Sequence, residues 1–431
     1  MKNKDIVILG SGISSLSAGY YLKQAGYLPV ILEKDNTYGG LCGNFFIDGF
    51  EFDRFVHFSF TTDEHVSKIF ALSSPKILKH TPNPYNIYKR LWIKHPAQNN
   101  LYPLSQDEKD KVINDFKNRP EVALNDIHNY EDWLRVQYGD YFAEKFPMVY
   151  TRKYWMSEAR ELETKWIGNR LYQPSIDEVI AGSKTSETPV TYYAKEMRYP
   201  EKGGYKSFLN ELIKDQDVSY DSCVVEIDTK SKIVTTKKGE IYSYDNLISS
   251  LPLTELVRIV KDIPIEIQCA ASKLKCTSGY LVSIGLKTKN IPPYLWWYIY
   301  DEDILAARVY SPSLKSPNNA PDGCSSLQME VYCNENQYSK SELYNRSVEK
   351  LIKMNIIKKE DILFVDIRFE RYANVIFDNN IYISRDIVRN YFTSIGINTI
   401  GRFGEWEYFW SDQSFLSGKK CSEVISNINN C

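Results

Sequence analysis

The chain has 431 residues, of which 43% are hydrophobic and 25% are charged, a composition typical of a folded protein with two or three domains. A formal net charge of −2 provides no basic field that would attract nucleic acid or an anionic membrane, which argues against both as partners. The sequence contains no apolar run of about 18 residues, so we expect no membrane span.

The first predicted element is a strand–turn–helix–strand unit. The apolar run at residues 5–9 predicts a buried parallel strand, and a second strand is predicted at residues 28–33, after an intervening helix. Gly10 and Gly12 lie in the turn before the helix, where they allow a tight turn and a close approach of the backbone to a pyrophosphate. The start of the helix would present free N–H groups to the same anion.

Ser15 and Glu33 complete this pattern. Ser15 occupies the third position of Gly-x-Gly-x-x-Gly and is small enough for the helix to pack closely on the strand. Glu33 ends the second strand, where a carboxylate hydrogen-bonds the adenosine ribose and disfavours a 2′-phosphate. The unit therefore predicts a dinucleotide-binding site.

The later elements are predicted from periodicity and turn residues. Helices are expected within 105–175 and at 340–356, strands near 218–250, 276–335 and 361–369, and a last helix from 414 to 428. Val225, in the first of these strand regions, is counted among the cofactor-binding residues. Trp296 and Trp297 are neighbours in a predicted strand and point to opposite faces, so at most one of them can line a pocket. Tyr298, in the same strand, is the residue predicted to bind substrate.

The cysteines and histidines give no sign of a metal site or a disulfide framework. No Cys-x-x-Cys pair occurs, and the five histidines show no metal-ligand spacing. We therefore expect no metal, reduced thiols and a cytoplasmic location. The eight cysteines are Cys42, Cys223, Cys269, Cys276, Cys324, Cys333, Cys421 and Cys431.

Two segments at opposite ends of the chain resemble one large family of FAD proteins, which includes amine oxidases, protoporphyrinogen oxidase and UDP-galactopyranose mutase. Residues 33–41 resemble the family's second fingerprint, whose glycine pair lies against the flavin phosphate and ribityl chain. Residues 401–404 resemble its returning strand, whose backbone and arginine close over the flavin. The resemblance implies FAD as cofactor, bound by Gly39, Gly40, Leu41, Gly401, Arg402, Asp412 and Gln413.

Further segments resemble the UDP-galactopyranose mutase family in particular. Residues 52–59 are similar to its loop that carries an Asp and a His, and residues 92–100 to its base-lining segment. Residues 150–155 resemble its Tyr-Thr-x-Lys-x-Trp signature. The resemblance implies the catalytic residues His57, Arg308 and Arg402, and the substrate-binding residues His95, Gln98, Tyr150, Thr151, Trp155, Arg170, Arg308, Tyr372 and Tyr408.

The physical chemistry of these side chains agrees with a nucleotide-sugar ligand. The planar guanidinium of Arg308 suits phosphate oxygens, and tyrosine hydroxyls are suitable further donors. A nucleotide base needs an aromatic face, which Tyr150 could supply, and a sugar ring often lies against an aromatic such as Trp155.

The implied reaction interconverts the pyranose and furanose forms of a nucleotide-diphosphate sugar without net redox change. In the family, N5 of the reduced flavin attacks the anomeric carbon while the nucleoside diphosphate leaves, and Arg308 with the tyrosines would stabilise the charge on the leaving group. A separate reductant, expected to be NAD(P)H, keeps the cofactor as FADH2. The resemblance also implies a role in polysaccharide biosynthesis, and the sequence leaves a homo-oligomer open.

The sequence departs from the mutase pattern at three places. Phe55 and Val56 stand where the family has Gly-Gly or Gly-Pro before its histidine. His95 and Ala97 replace residues that are usually aromatic, which leaves the base open between uracil, thymine, cytosine and others. Tyr372 is followed by Ala373 instead of Pro.

Two alternative functions remain at this point. One is an FAD-dependent oxidoreductase of the amine oxidase or protoporphyrinogen oxidase type. The side chains of Phe55 and Val56 favour this function, whereas the arginine and tyrosines predicted to bind the diphosphate argue against it. The other is a non-enzymatic binding module that kept the fold but does not hold flavin.

The predicted fold class is α/β, with a Rossmann-like FAD-binding domain, a helical domain and an antiparallel sheet domain for the substrate. We expect the FAD domain at 1–90, 200–255 and 395–431, the helical domain at 100–175, and the sheet domain at 176–199 and 256–394. The substrate cleft would lie between these three parts.

Overall fold

The computed structural model of the chain describes residues 1–120, 122–123, 126–168, 170–192 and 194–428. The prediction for Cys431 lies outside the described residues. The other seven cysteines are free thiols.

Eighteen strands are defined in the described part of the chain. They are β1 (Lys2–Leu9), β2 (Val30–Leu32), β3 (Asn44–Ile47), β4 (Phe50–Asp53), β5 (Ile77–His80), β6 (Tyr85–Tyr88), β7 (Leu91–Lys94), β8 (Met197–Pro200), β9 (Asp217–Ser219), β10 (Val224–Asp228), β11 (Ile233–Thr236), β12 (Ile241–Ser249), β13 (Gly279–Leu286), β14 (Trp296–Ile299), β15 (Arg308–Tyr310), β16 (Ser325–Tyr332), β17 (Ile362–Glu370) and β18 (Ile397–Thr399).

Sixteen α-helices are defined in the same ranges. They are α1 (Ile13–Gln24), α2 (Glu64–Ser73), α3 (Gln106–Lys117), α4 (Tyr130–Tyr138), α5 (Asp140–Lys145), α6 (Pro147–Trp155), α7 (Ile176–Lys184), α8 (Asn210–Ile213), α9 (Leu253–Ile259), α10 (Ile265–Ala271), α11 (Pro312–Lys315), α12 (Lys340–Leu343), α13 (Glu349–Lys353), α14 (Ile381–Ser394), α15 (Gly401–Gly404) and α16 (Ser411–Ile428).

The first sheet is the predicted Rossmann-like layer. Its order is β10-β11-β12-β1-β2-β9, with β18 also paired to β12. The pairs around β1 and β2 and the pair β12–β18 are parallel, whereas β10, β11 and β12 form an antiparallel meander. Ile6 and Ile8 pack into one buried cluster and Val7 and Leu9 into another, because successive side chains of a strand point to opposite faces.

The second sheet carries the substrate side of the molecule. Its order is β17-β13-β16-β15-β14-β6-β7, and every pair is antiparallel except β14–β6. The predicted antiparallel sheet is therefore confirmed with one parallel pair. Helices α3 to α7 form a third group between residues 106 and 184, in which α3 packs on α4, α5 and α7.

The predicted domain boundaries need three corrections. The boundary at residue 90 falls inside the β6–β7 hairpin, which belongs to the second sheet. Helix α7, predicted within the sheet domain, packs on α3 in the helical group. Helices α10 and α14, also predicted there, share a buried cluster with Val7 and Leu9 of the first sheet. Local composition does not reveal these assignments, because each depends on pairing or packing between distant segments.

The structure has no helix, among the described residues, that is both long and apolar enough to cross a bilayer. The same residues contain no cluster of three or more His, Cys, Asp or Glu side chains that could hold a metal ion.

Candidate active site

Two adjoining cavities form a cleft between the three groups of elements. The smaller cavity, of about 200 Å³, lies beside the first sheet's cofactor loops, and the larger, of about 620 Å³, lies between the helical group and the second sheet. Six residues line both cavities and so mark the junction between them: Tyr154, Tyr192, Tyr298, Arg308, Tyr408 and Trp410.

The second sheet supplies one wall through strand alternation. Tyr298 pairs across strands with Arg308, and Arg308 pairs with Glu330, so the three side chains share one face of β14, β15 and β16. Tyr332, two residues beyond Glu330 on the same strand, lies on that face as well. Trp297 points to the opposite face and is fully buried, while Trp296 lines the smaller cavity, in agreement with the alternation expected from sequence.

Arg308 lies at the junction but is already paired. Its Nη2 and Nε donate to Oε2 of Glu330 at 2.7 and 3.0 Å, and the carboxylate of Glu330 is fully buried. The hydroxyl of Tyr332 donates to the same oxygen at 2.8 Å, and the backbone N–H of Val56 donates to Oε1 at 3.0 Å. Burial lowers the pKa of Arg308, but the Glu330 carboxylate and the neighbouring tyrosines together outweigh it and raise the pKa. Arg308 therefore keeps both N–H groups of Nη1 and the second N–H of Nη2 outside this network for a ligand.

His57 lines the smaller cavity on the loop after β4. Its Nδ1 lies 3.3 Å from the carbonyl oxygen of Phe55, and because a carbonyl only accepts, Nδ1 carries the proton of the neutral ring. Burial lowers the pKa of His57 to about 4, so the imidazole is neutral near pH 7. This leaves Nε2 as an acceptor.

Phe55 and Val56 bring side chains to the smaller cavity, where the mutase pattern has glycine. Phe55 keeps a positive φ of 63°, a strained backbone conformation for an aromatic residue, and its buried ring stacks on Tyr332 at 6.0 Å between centroids. The hydrogen bond of Val56 to Glu330 fixes the loop further. Both side chains therefore narrow the cavity in this conformation.

The cofactor loops fit an FAD molecule. A Cβ built on Gly12 would meet nothing within 4 Å, so open space lies before the N-terminus of α1, which has no side-chain cap. The loop at Gly39 and Gly40 lies directly against this turn, since the N–H of Gly39 donates to the Ser11 carbonyl at 3.0 Å. Such an uncapped helix start beside two glycine turns is suited to a pyrophosphate.

Glu33 is buried and fixed in orientation at the adenosine end of this site. Its Oε2 accepts the N–H and the hydroxyl of Ser11 at 2.7 and 2.6 Å, and its Oε1 accepts the N–H of Asp35 at 2.9 Å. Oε1 keeps an acceptor direction that a ribose hydroxyl could use. Ser15 is fully buried and donates to Ser250 at 2.8 Å, which holds α1 close to the end of β12.

Arg402 lines the smaller cavity together with Leu41 and Asp412. The buried Nε of Arg402 has no hydrogen-bond partner among the described residues, and no carboxylate of the described chain forms an ion pair with it. A half-buried cation of this kind suits a bound anion or a polar ring edge. The set of residues around it therefore fits the flavin.

The larger cavity collects the residues predicted for the nucleotide and also Trp155, which was predicted to contact the sugar. The ring of Tyr150 stacks on that of Tyr154, with 5.3 Å between the ring centroids. Burial raises the pKa of each phenol well above the usual range of a tyrosine, so both hydroxyls stay protonated. Burial also lowers the pKa of His95 to about 3, which makes it neutral. The remaining predicted residues that line this cavity are Gln98, Thr151, Arg170, Tyr298, Arg308 and Tyr408.

Arg170 closes one side of the larger cavity. Its guanidinium lies 4.6 Å above the ring of Tyr408 and 5.0 Å from that of Trp410, and it donates to the carbonyls of Trp166 and Tyr408 at 2.8 and 3.2 Å. Within the described ranges, it forms no ion pair with a carboxylate. Its charge is therefore available to an anionic ligand.

Three predicted site residues line neither cavity and lie outside the cofactor turns at residues 10–15, 33–41 and 401–404. The hydroxyl of Tyr372 donates to Glu255 instead, and its ring packs on Phe403. Val225 lies at a bulge of the edge strand β10 with 44% of its surface exposed. Gln413 is exposed and accepts from the backbone N–H of Trp410 at 2.9 Å. Asp412, its neighbour, does line the smaller cavity.

Sequence reasoning missed several lining residues. Tyr154 follows Tyr150 by four positions on α6, so helical spacing places both on one face, and this signal could have identified it. Glu330, which lines neither cavity itself but binds Arg308 from the fully buried strand β16, was not identified either. Tyr192, Asn374 and Trp410 carry no local signal, because the cleft takes them from separate loops.

Comparisons with known proteins agree with this architecture. A family model described as flavin containing amine oxidoreductase matches residues 13–377. A crystal structure of reduced UDP-galactopyranose mutase superposes with a TM-score of 0.92 at 21% identity, covering 99% of this chain and 96% of that one. The predicted resemblance to this fold is thereby confirmed.

Oxidoreductase structures share the fold as well. A putative protoporphyrinogen oxidase from Exiguobacterium sp. 255-15 superposes with a TM-score of 0.76 at 16% identity, covering 99% of both chains. A redesigned putrescine oxidase gives 0.69 at 14% identity, also over 99% of both chains. At these identities the likeness concerns the fold alone.

Two curated proteins are similar to this chain over a short segment. The inactive all-trans-retinol 13,14-reductase of Danio rerio is 45% identical over 51 residues, and the human all-trans-retinol 13,14-reductase is 39% identical over 54 residues. The matched segment is 12% of this chain in both cases and spans 8% and 9% of the two relatives.

Proposed function

Because the chain belongs to the family of flavin-containing amine oxidoreductases, and binds FAD as that family does, we propose that it is a flavin-dependent mutase. It would interconvert the pyranose and furanose forms of a nucleotide-activated sugar. The proposal rests on one observation. The larger cavity, which is lined by aromatic residues, joins the smaller cavity beside the cofactor loops, with Arg308 at the junction and Arg170 near it. This shape suits a base, a diphosphate and a sugar in that order.

The larger cavity would hold the nucleoside. Tyr150 offers an aromatic face to the base, and the neutral His95 and the amide of Gln98 are polar groups at the same cavity. Gln98 already donates to the Tyr172 carbonyl at 2.8 Å, so its side-chain oxygen remains as an acceptor. An N–H group on the base edge would satisfy that acceptor.

The junction would hold the diphosphate. Arg170 brings a positive charge without a carboxylate partner, and Arg308 adds its free Nη1. The phenols of Tyr298 and Tyr408 can donate neutral hydrogen bonds, whereas the hydroxyl of Tyr154 already donates to Asn374. Fixed donors of this kind stabilise the charge that develops on a departing diphosphate, because they need no reorganisation during the reaction.

The sugar would lie in the smaller cavity beside the flavin. The reduced cofactor, when bound, would supply a nucleophilic nitrogen for the anomeric carbon. His57, neutral and with Nε2 as an acceptor, could take a hydrogen bond from a sugar hydroxyl. The protein's own task is to keep the diphosphate and the sugar in register while the ring reopens and recloses.

The test uses the FAD-loaded protein after reduction with dithionite under anaerobic conditions. It is incubated with UDP- and dTDP-linked hexoses, and ring isomers are separated by chromatography. We expect a furanose product from at least one sugar, an unchanged flavin oxidation state, and no product from the oxidised protein. Arg170→Ala should reduce turnover strongly. The absence of any ring isomer with fully reduced flavin would contradict the proposal.

An FAD-dependent oxidoreductase is the second candidate, and the loop at Phe55 and Val56 favours it. These side chains narrow the cavity where the mutase pattern has glycine, which restricts the space for a sugar. In this case an amine or another reduced substrate would bleach the oxidised flavin in the absence of any other reductant, and oxygen would restore it. Val56→Gly distinguishes the two, since it should widen the range of sugars used by a mutase.

We further propose NAD(P)H as the physiological reductant, a nucleotide-diphosphate sugar as the partner, and a cytoplasmic location. The seven free cysteines of the described chain support a reducing compartment. Stopped-flow mixing of the oxidised protein with NADPH or NADH would test the reductant. Failure of both to reduce the flavin would remove this part of the proposal.

A further inference from the structure

Asn374 lies in the smaller cavity with a backbone that is fixed on both sides. It follows β17 in the loop before α14 and is 5% exposed. Its backbone N–H donates to the Thr277 hydroxyl at 3.0 Å, and its carbonyl accepts the Thr277 N–H at 2.7 Å. These two bonds set the direction in which the side chain leaves the backbone.

The side-chain oxygen of Asn374 binds two other residues of the cavity. Nη2 of Arg402 donates to it at 2.8 Å, and the hydroxyl of Tyr154 donates to it at 3.1 Å. Because a guanidinium can only donate, the atom that faces Arg402 must be the amide oxygen and not the nitrogen. One carbonyl oxygen therefore joins α6, α15 and the loop after β17 at the point where the cleft meets the cofactor site.

This arrangement differs from that of Arg308 on the same cleft. Arg308 is bound by the carboxylate of Glu330, which neutralises its charge. Arg402 is bound by a neutral amide and, in the described part of the chain, pairs with no carboxylate. An amide fixes the guanidinium in place without cancelling its charge, whereas an aspartate at 374 would fix it and cancel it.

We propose that Asn374 is a positioning residue that holds the Arg402 guanidinium in the cofactor cavity with its positive charge uncompensated, and thereby favours the reduced flavin. Two electrons and one proton from a reductant convert oxidised flavin into its anionic reduced form, so a fixed positive charge nearby stabilises the product of that conversion. The inference depends on flavin binding but not on the sugar chemistry, so the two can fail separately.

The measurement is the two-electron reduction potential of the FAD-loaded protein, titrated against a dye of known potential. Asn374→Asp should make the potential more negative by at least a tenfold change in the equilibrium, about 30 mV for a two-electron couple. Asn374→Leu, which leaves the charge but releases its hold on Arg402, should shift it in the same direction by less.

Asn100→Asp is the matched control. Asn100 is also buried, donates through its amide nitrogen to the Pro96 carbonyl at 2.7 Å, and lines neither cavity, so the same substitution there should leave the potential unchanged. In an Arg402→Gln background, Asn374→Leu should have no further effect, because its action passes through that arginine.

Two results would overturn the inference. One is a potential in both Asn374 variants equal to that of Asn100→Asp. The other is an equal loss of FAD from both variants while Asn100→Asp retains it, which would show that Asn374 serves cofactor retention and not the redox balance.

Discussion

Three arginines reach the cleft, and their partners decide what each can do. Arg308 is bound to the buried carboxylate of Glu330, whereas Arg170 and Arg402 are held by carbonyl oxygens. A charge that is paired inside the protein interacts weakly with a ligand, because its carboxylate repels the same anion. Arg308 therefore stabilises the structure of the site as much as it binds a ligand.

The pairing of Arg308 predicts a loss of stability when the arginine is removed. Arg308→Ala leaves the fully buried carboxylate of Glu330 with only the donors of Tyr332 and Val56, and breaking a buried pair typically costs about 3–5 kcal/mol. Thermal unfolding followed by circular dichroism should show a Tm several degrees below that of the parent.

A second substitution separates charge from packing in that experiment. Glu330→Gln in the Arg308→Ala background removes the unpaired charge and should recover part of the lost Tm. If Arg308→Ala alone melts at the temperature of the parent, the ion pair does not contribute to the fold.

The burial of His57 should make the free energy of unfolding depend on pH. Burial lowers the pKa of the folded imidazole to about 4, while the unfolded chain titrates near 6.5. As the pH falls from 6.5 towards 4, the unfolded state binds a proton that the native ring does not, so this residue makes the fold less stable. The loss at pH 5 is on the order of 2 kcal/mol, and it is nearly absent above pH 7.

The variant His57→Gln isolates this contribution. We expect a smaller fall in Tm between pH 7.5 and pH 5.0 in the variant than in the parent, since carboxylates common to both cancel in the comparison. An equal fall in the two proteins would show that His57 titrates normally in the native state.

At the residue scale, the sequence predicted those side chains that a motif or a spacing marks. Arg402 and Tyr150, which resemble residues of known fingerprints, line the two cavities, and open space lies beside Gly12 before α1. Tyr372 resembles a ligand residue by position, yet its hydroxyl binds Glu255, which is an acceptor contributed by a distant helix. Asn374 was not predicted because nothing in its local sequence indicates that Arg402 lies beside it.

At the element scale, the last helix supports the cofactor turn through a very close contact. A Cβ added to Gly418 of α16 would lie 1.9 Å from the Ser14 carbonyl oxygen in the first turn of α1. Gly401, before α16, packs on the same serine. The N-terminus of α1, which faces the pyrophosphate site, is thus positioned by the far end of the chain.

Gly418→Ala should therefore weaken both the fold and the retention of FAD. The added methyl group must push α16 away from α1, and overpacking of this kind typically costs about 1–3 kcal/mol. Val424→Ala is the control, because that side chain lies on the same helix and is 47% exposed. We expect a lower Tm and more free flavin after gel filtration for Gly418→Ala alone. Equal retention by both variants would show that α16 does not position the cofactor turn.

Elements whose contacts are close in sequence could be predicted, whereas elements that pair with distant segments could not. The unit β1–α1–β2 was predicted because its apolar strands, glycine turn and helix are consecutive in sequence. The predicted boundary at residue 90 divides the hairpin β6–β7, because β6 pairs in parallel with β14, more than 200 residues later, and this pairing cannot be read locally. The pairing of such distant strands is decided by the whole fold, and no local pattern records it.

At the scale of the whole molecule, the cleft exists only because three groups of elements meet. Tyr154 comes from the helical group, Arg308 from the second sheet, and Tyr408 from the segment between α15 and α16, and all three line both cavities. Hydrogen bonds through Asn374 and Arg170 cross these boundaries. A ligand that fills the cleft should therefore stabilise the molecule as a unit.

This arrangement predicts that a nucleoside diphosphate raises the Tm of the FAD-loaded protein without any sugar attached. Binding to the native state alone adds about 2.7 kcal/mol when the ligand is at 100 times its Kd. UDP, dTDP, CDP and GDP are compared by differential scanning fluorimetry, and the base that fits the larger cavity should give the largest shift. Sodium pyrophosphate, which lacks the base, should give a smaller one.

Arg170 is the residue on which that shift should depend most. Arg170→Ala removes an unpaired cation together with its contacts to Tyr408 and Trp410, so it should abolish most of the diphosphate-dependent shift. Arg160→Ala is the matched control, because Arg160 is exposed, belongs to the same region and lines neither cavity. Since Arg170 also links the helical group to the segment before α16, its loss should lower the Tm of the ligand-free protein slightly. A full shift in Arg170→Ala would show that the diphosphate binds elsewhere, and the cleft would then be left to the flavin and an uncharged substrate.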